Sequence, residues 1–225
     1  MRSSCCGLVD LKALHRDFQF KDVEGARLNI GCGRDVREGW TNLDAYAPGP
    51  DVVRHDITRT PWPLESDHYE LAYASHVLEH VPVHIDDGRD VLFRIFDEAH
   101  RVLRPGGRLV VRVPRGGSSS SLGHPQHYRQ FRRSWFGFLE KGHHEDYYVE
   151  RHWHVEEVRE TARHGVCEVR FDGFLPLGKS GLGLTSHLFE RAPPIKPLLM
   201  RAGEIVATLR KPESASLTRE LSDRS

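Results

Sequence analysis

Cysteine is scarce in this chain, four in 225 residues. Two of them, Cys5 and Cys6, are adjacent, an arrangement poorly suited to cross-linking, so no disulfide framework is expected. Long hydrophobic runs are missing as well. The longest are three or four residues, against the about 18 needed to cross a bilayer as a helix, so no membrane span is expected. There is no excess of either charge sign. Lysine plus arginine (32) equals aspartate plus glutamate (32), which leaves neither a basic footprint for wrapping nucleic acid nor an acidic tail. The positive charge is mostly arginine, with only six lysines. The first twenty residues contain Lys12, Arg16 and Asp17 and no apolar core, so no signal peptide is expected. These absences point to a soluble, cytoplasmic chain. At this length it buries roughly 70% of its unfolded surface and needs no disulfide or metal staple.

What is present is a succession of short apolar runs closed by turn residues. They are Leu28–Ile30, Trp40–Leu43, Val52–Val53, Tyr69–Ala74 and Leu109–Val113. Between the last two, Val91, Leu92, Ile95, Phe96, Ala99, Val102 and Leu103 form the stripe of an amphipathic helix, stopped by Pro105-Gly106-Gly107. Strands alternating with a helix imply crossover connections and a parallel sheet. The expected fold is α/β, Rossmann-like and doubly wound. Its sheet is seven-stranded and mostly parallel, with a lid-like insert after the fifth strand. Residues 1–25 read as a lead-in with room for a short helix at Leu8–Phe18. Residues 26–192 read as the main domain, with 115–153 as an insert on the substrate side. Residues 193–225 read as an extension, disordered from Pro212 onward. A helix is expected over His154–His164, from the spacing of Val155, Val158 and Ala162 and the stop at Gly165. Late strands are expected at Cys167–Phe171 and Leu184–Phe189, followed by a short helix over Leu198–Leu209.

The chemistry-bearing residues collect at strand ends. Leu28-Asn29-Ile30-Gly31-Cys32-Gly33 closes the first core strand, where glycines let a ligand approach the backbone at the carboxyl edge of a parallel sheet. Asp44 ends the second strand, where a carboxylate can accept from both hydroxyls of a ribose. Asp56 and Ile57 follow the third, where an aspartate can accept from an adenine amino group. Ser75-His76-Val77-Leu78-Glu79-His80 ends the fourth. Each piece alone is an ordinary solvated turn. Four of them in register make one cleft.

This series resembles the class I S-adenosyl-L-methionine (SAM) methyltransferases, in particular a small bacterial type-11-like group often met beside glycosyltransferases. The resemblance runs over residues 27–114, through LNIGCG, GWTNLD, HDI, SHVLEH and RVLRPGGRLVVRVP. It implies SAM as cofactor, with Gly31, Cys32 and Gly33 along its methionine part and Asp44 on its ribose. Asp56 and Ile57 would hold the adenine, and Ser75 and His76 would close the site. Asn29 departs from the family, which usually carries an acid there. Asparagine keeps the hydrogen bond and weakens the attraction to the SAM ammonium.

Other readings fit less well. A dinucleotide fingerprint needs a third glycine where Val36 stands, and its acid comes about 20 residues on, whereas Asp44 follows Gly31 by thirteen. Gly173–Ser180 matches a phosphate loop literally, but Gly181, Gly183 and a strand pattern follow instead of the helix that would meet phosphates. Histidine is abundant, fifteen in all, with His143, His144, His152 and His154 close together. They lack the tight spacing of a zinc site, so no metal is expected. The N/D-P-P-Y/F run of amino-methylating relatives is missing, since Ser75-His76-Val77-Leu78 stands in its place.

The expected activity is therefore SAM-dependent methyl transfer to a small-molecule or glycan-type acceptor at oxygen. The catalytic candidates are His127 in the insert, then His80 and His76 at the fourth-strand edge. Arg129, Arg132 and Arg133 are candidates to hold an anionic acceptor. The insert's glycine- and serine-rich start suggests a hinge, and Tyr128, Phe131, Trp135 and Phe136 offer area to close over a ligand. The alternative is a non-catalytic SAM-fold partner or scaffold module. A nucleic-acid methyltransferase ranks behind it, because the neutral charge balance argues against that partner.

Overall fold

The computed structural model describes residue 20 and residues 23–86, 88–162 and 203–213. Five strands run parallel: β1 (Arg27–Ile30), β2 (Thr41–Asp44), β3 (Val52–Arg54), β4 (Tyr69–Ser75) and, after a two-stranded β5–β6 hairpin (Ile85–Asp86, Arg89–Asp90), β7 (Leu103–Pro114). Two more strands, β8 (His154–Ala162) and β9 (Gly203–Arg210), complete a seven-stranded sheet in the order β3-β2-β1-β4-β7-β9-β8. β9 is antiparallel to both its neighbours. The order turns outward from the β1/β4 pair, so the crevice above their carboxyl ends is the place where such sheets bind ligands.

Alternation along the central strands gives the sheet two apolar faces. Leu28, Ile30, Ala72, Ala74, Leu109, Val111 and Val113 face one side and pack on helix α1 (Val91–Val102) through Leu92, Ile95, Phe96, Ala99 and Val102. Leu71, Tyr73 and Val110 face the other, under Phe20, Val23 and Trp40, with the Arg37 guanidinium 4.5 Å above the Tyr73 ring. The side chain of Asp90 caps α1 by accepting from Leu92 N–H at 2.9 Å.

Two expectations near the end of the chain are corrected. His154–Ala162 is a strand, not a helix. A register shift between Val155 and Glu157 inserts one extra residue. That bulge puts Val155 and Val158, three apart, opposite Leu209 and Ala207 on the core face. A three-residue apolar spacing that reads as helical is here a bulged strand. Gly203–Arg210 is likewise a strand where a helix was expected, and its buried Ile205, Ala207 and Leu209 recur with period two. The helix expected at 8–18, the strands expected at 167–171 and 184–189 and the phosphate-loop match at 173–180 lie outside the described residues.

The segment 115–153 is anchored to the fold. Phe131, Phe136, Leu139, Val149 and Trp153 belong to the same buried cluster as Ile95 and Phe96 of α1. Asp97, buried on α1, accepts from the backbone N–H of Glu150 at 3.2 Å and of Arg151 at 3.0 Å, and pairs with Arg89. Burial raises the Asp97 pKa even against the pull of Arg89 and those amides. Phe131 and Phe136 therefore spend their apolar area inside the core, and Tyr128 stays exposed.

Candidate functional site

β1 hands the chain to Gly31 in the left-handed region (φ +62°), which any other residue adopts only with strain. Close approach is a second reason for glycine here. A Cβ at Gly31 would lie 2.2 Å from Cγ2 of Val77, so the turns after β1 and β4 touch through that position. Gly33 (φ +52°) has open space where a side chain would be.

Asp44 ends β2 and organises the turns on both sides of the crevice. Its Oδ2 accepts from Gly33 N–H at 2.8 Å, and Oδ1 accepts from Tyr46 and Ala47 N–H at 2.6 and 2.8 Å. Two lone pairs per oxygen leave one vacant among the described residues, on Oδ2. Asp56 shapes the turn after β3 by accepting from the N–H and hydroxyl of Thr58 at 3.0 and 2.8 Å. The neighbouring Ile57 is buried and its carbonyl accepts from the Trp62 indole.

These turns enclose a cleft of about 320 Å³. Gly31, Asp44, Asp56 and Ile57 line it with Val77, His80 and Val81. Five residues singled out from sequence, Gly31, Asp44, Asp56, Ile57 and His80, thus share one wall. Cys32, Gly33, Ser75 and His76 stand behind or beside it. Cys32 is buried against Ala47 and Val52. Desolvation, with Asp44 and Asp35 nearby, pushes its thiol up to about 11, so it stays protonated and inert. Val77, Val81 and Thr58 were not singled out. Only tertiary placement distinguishes them from ordinary apolar and turn residues.

Asn29 does not point its amide into this cleft. It is buried, and its Nδ2 donates to the carbonyl of Asp35 at 2.7 Å and to Oδ1 of Asn42 at 3.2 Å. Asn42 in turn accepts from Arg37 N–H and donates to the Arg37 and Trp40 carbonyls. The pair of amides holds the loop after β1 in shape, a task that requires a donor at position 29.

The histidines divide into two groups. His76, at φ +51°, places Nδ1 3.2 Å from Glu79 Oε1 and Nε2 3.2 Å from Glu204 Oε1. Desolvation pulls its pKa down, but the hydrogen bonds to Glu204 and Glu79 outweigh that and raise it to about 9. Glu204, which also holds Arg112 at 2.7 Å, is pushed up by burial. The bonds from His76 and Arg112 dominate, and it falls to about 2. At neutral pH His76 is an imidazolium with no lone pair to take a proton, so its geometry suits closing the β4 turn rather than general base catalysis.

His80 and His127 form the second group, their ring centroids 4.7 Å apart. Nδ1 of His127 lies 3.2 Å from the Ser121 carbonyl and Nδ1 of His80 lies 3.2 Å from the Gln126 carbonyl. Carbonyls only accept, so each Nδ1 donates there, and in the neutral ring of that tautomer the lone pair is on Nε2. Desolvation lowers the His127 pKa, with His80 and His124 adding to it against the opposing pull of Glu79. The segment is pinned beside the cleft by Tyr128 N–H donating to the Glu79 carbonyl at 2.9 Å. Arg129 does not serve as a free anion grip. Its guanidinium forks onto both oxygens of Asp90 at 2.6 and 2.7 Å and donates to the Val81 and Pro82 carbonyls. Arg132 and Arg133 line a separate open cleft with Arg115 and Glu160.

The donor set fits SAM. One carboxylate with a vacant lone pair suits a hydroxyl, and an apolar wall of Ile57, Val77 and Val81 suits a flat base. The space falls in the range of small-ligand pockets. Known proteins agree. Residues 8–156, more than half of the chain, match the sequence model of a family described as a methyltransferase domain. No curated protein sequence matches the chain. Among solved structures, one similar fold is a SAM-dependent methyltransferase from Archaeoglobus fulgidus. Its TM-score is 0.53 at 16% identity, over 89% of this chain and 92% of that one. A second is a SAM-dependent methyltransferase from Methanosarcina mazei, with TM-score 0.50 and 14% identity, covering 90% and 98%. A third is the [4+2]-cyclase SpnF, with TM-score 0.51 and 15% identity, covering 91% and 81%. Fold likeness alone therefore does not fix the reaction.

Proposed function

The chain belongs to the methyltransferase-domain family and is a SAM-dependent enzyme, and from that premise we propose that it methylates a hydroxyl of a small-molecule or glycan-type acceptor. The observation that carries this reading is the pair His80 and His127, each with Nδ1 on a backbone carbonyl and their rings 4.7 Å apart, His80 lining the same cleft as Gly31, Asp44, Asp56 and Ile57. SAM, when bound, supplies a methyl group on a sulfonium, which an acceptor oxygen takes by in-line displacement. Asp44 and Ile57 fix the position of the cofactor, and the segment 124–129 borders the acceptor side. As the oxygen–carbon bond forms, the hydroxyl proton passes to Nε2 of His127, whose lowered pKa, from desolvation, favours the neutral ring. Positioning supplies most of the remaining acceleration.

The test is release of S-adenosylhomocysteine by the full chain against a panel of hydroxylated acceptors: sugars, nucleotide sugars, oligosaccharides and phenols, with DNA and RNA alongside. Turnover with one hydroxyl class and none with nucleic acid supports the reading. Turnover on nucleic acid, or on amines alone, overturns it. Tight SAM binding with no turnover on any acceptor would instead favour the scaffold alternative. Among the described residues no helix is long and apolar enough to cross a membrane.

A further inference from the structure

The histidines expected to cluster, at 143–154, are not the ones that converge most tightly on a shared point. Among the described residues, His80, His124 and His127 each present a ring nitrogen, and the three nitrogens lie within 4.8 Å of one another. Their rings are in contact. His124 stacks on His127 at 4.4 Å, and His80 meets both edge-on at 5.2 and 4.7 Å.

We propose that His80, His124 and His127 form a three-imidazole site for a divalent transition-metal ion such as zinc, beside the cofactor cleft. Three features of the geometry carry this. First, the site is built from two chain segments locked together. Tyr128 and Arg129 N–H both donate to the Glu79 carbonyl, at 2.9 and 3.2 Å, and Arg129 clamps Asp90 and the Val81 carbonyl. The backbone at His80 is therefore held beside the backbone at His127 before any ion arrives, and the rings adjust by rotation. Second, His80 and His127 each donate Nδ1–H to a backbone carbonyl, the outer-sphere bond that metal-binding histidines usually make and that frees Nε2 as ligand. Third, a buried carboxylate adjoins the group. Glu79 is 1% exposed and, among the described residues, its Oε2 has no hydrogen-bond partner, while its Oε1 faces His76 at 3.2 Å.

Tetrahedral zinc at bond lengths of 2.0–2.1 Å would place its nitrogens about 3.3 Å apart, so the three rings close by up to about 1.5 Å on binding. His124 is exposed and free to turn, and in doing so it gives up the 3.2 Å bond that its Nδ1 accepts from Gln126 N–H. Three protein ligands leave one position open for water or a substrate oxygen, the pattern of catalytic zinc. His80 also lines the cleft, so that position adjoins the place an acceptor must enter. A hydroxyl bound to the ion would lose its proton near neutral pH. His127 Nε2 would then serve as ligand instead of base. The inference assumes nothing about acceptor or turnover, and its test omits SAM.

Tag-free full chain, stripped with EDTA and dialysed, is titrated with zinc chloride by calorimetry and with cobalt(II) by visible absorption. The expected result is one ion per chain with a Kd of about 1 µM or below, and an intense cobalt band of a four- or five-coordinate site. His80→Ala, His124→Ala and His127→Ala should each weaken binding by at least about 10–100-fold, as even outer-sphere changes do. His143→Ala with His144→Ala should leave it within about two-fold. His124 is exposed, so its variant keeps the fold and is decisive even if another variant unfolds. Absence of saturable one-to-one binding, or binding that survives His124→Ala unchanged, overturns the proposal.

Discussion

Replacing Gly31 with alanine adds one methyl group, and the structure sets its cost. The new Cβ would sit 2.2 Å from Cγ2, 2.8 Å from Cβ and 3.1 Å from Cγ1 of Val77, where carbon atoms prefer about 3.5–4.0 Å. Val77 opens the 3-10 turn at Leu78–His80 and cannot retreat without moving His80. The overlap resembles overpacking, worth about 1–3 kcal/mol. The left-handed backbone at φ +62° adds about 1–2 kcal/mol for a residue with a Cβ. Together these predict a loss of about 2–5 kcal/mol, or a melting temperature lower by roughly 5–20 °C for a chain of this size. Urea unfolding of wild type, Gly31→Ala, Val77→Ala and the double variant separates the two terms. Val77→Ala removes two of the three clashing atoms, so the double variant should recover about 1–2 kcal/mol relative to additivity, the excess that contacting residues show. The strain from φ should remain. If Gly31→Ala is within about 0.5 kcal/mol of wild type, or shows no coupling to Val77, the close approach of the β1 and β4 turns is refuted.

Three further outcomes follow from the same site. Asn29→Asp introduces the acid that the resemblance implies at this position, yet it places a carboxylate against the Asp35 carbonyl and Asn42 Oδ1. It should cost at least about 2 kcal/mol of stability in urea, the price of a buried charge and a lost donor; unchanged stability with tighter SAM binding would contradict this. The pKa of His76 is raised to about 9, so its contribution is full below about pH 6.5 and fades as pH rises through 9. Its ring is 41% exposed, and solvent screening reduces the contribution to about 1 kcal/mol. The stability gap between wild type and His76→Gln should accordingly shrink between pH 7 and 10, and a constant gap would refute the assignment. His127→Ala should keep SAM affinity within a few-fold while turnover falls by about 10²–10⁴, the usual worth of a general base. Unchanged turnover removes His127 from that role and moves it to His80.

The lining of the candidate cleft was legible in the sequence because its residues follow strands whose apolar runs are short and plainly bounded. Gly31, Asp44, Asp56 and His80 each lie within a few residues of a strand end, so a parallel sheet gathers them without further information. The α1 stripe was legible for a similar reason, since Leu92, Ile95, Phe96, Ala99 and Val102 recur at helical spacing over three turns. What failed was local periodicity at β8, where one bulged residue converts a two-residue repeat into the three-residue spacing of Val155 and Val158. The pairing of His76 with Glu204 joins residues 128 positions apart, through β9 lying beside β7. The meeting of His80 with His124 and His127 depends on the Glu79 carbonyl capturing Tyr128 and Arg129. Neither leaves a mark in nearby sequence. The role of Asn29 was hidden too, because an amide facing a ligand and an amide bracing a loop look identical in one dimension.

The central claim is that the crevice above β1–β4 holds the cofactor, and a crystal structure of the full chain with S-adenosylhomocysteine tests it most directly. The account predicts density in the cleft of Gly31, Asp44, Asp56 and Ile57, with a ribose hydroxyl donating to Asp44 Oδ2 and the adenine against Ile57. The sulfur should lie on the side of His80 and His127. Density in the Arg115, Arg132 and Arg133 cleft instead, or a ribose remote from Asp44, would contradict it.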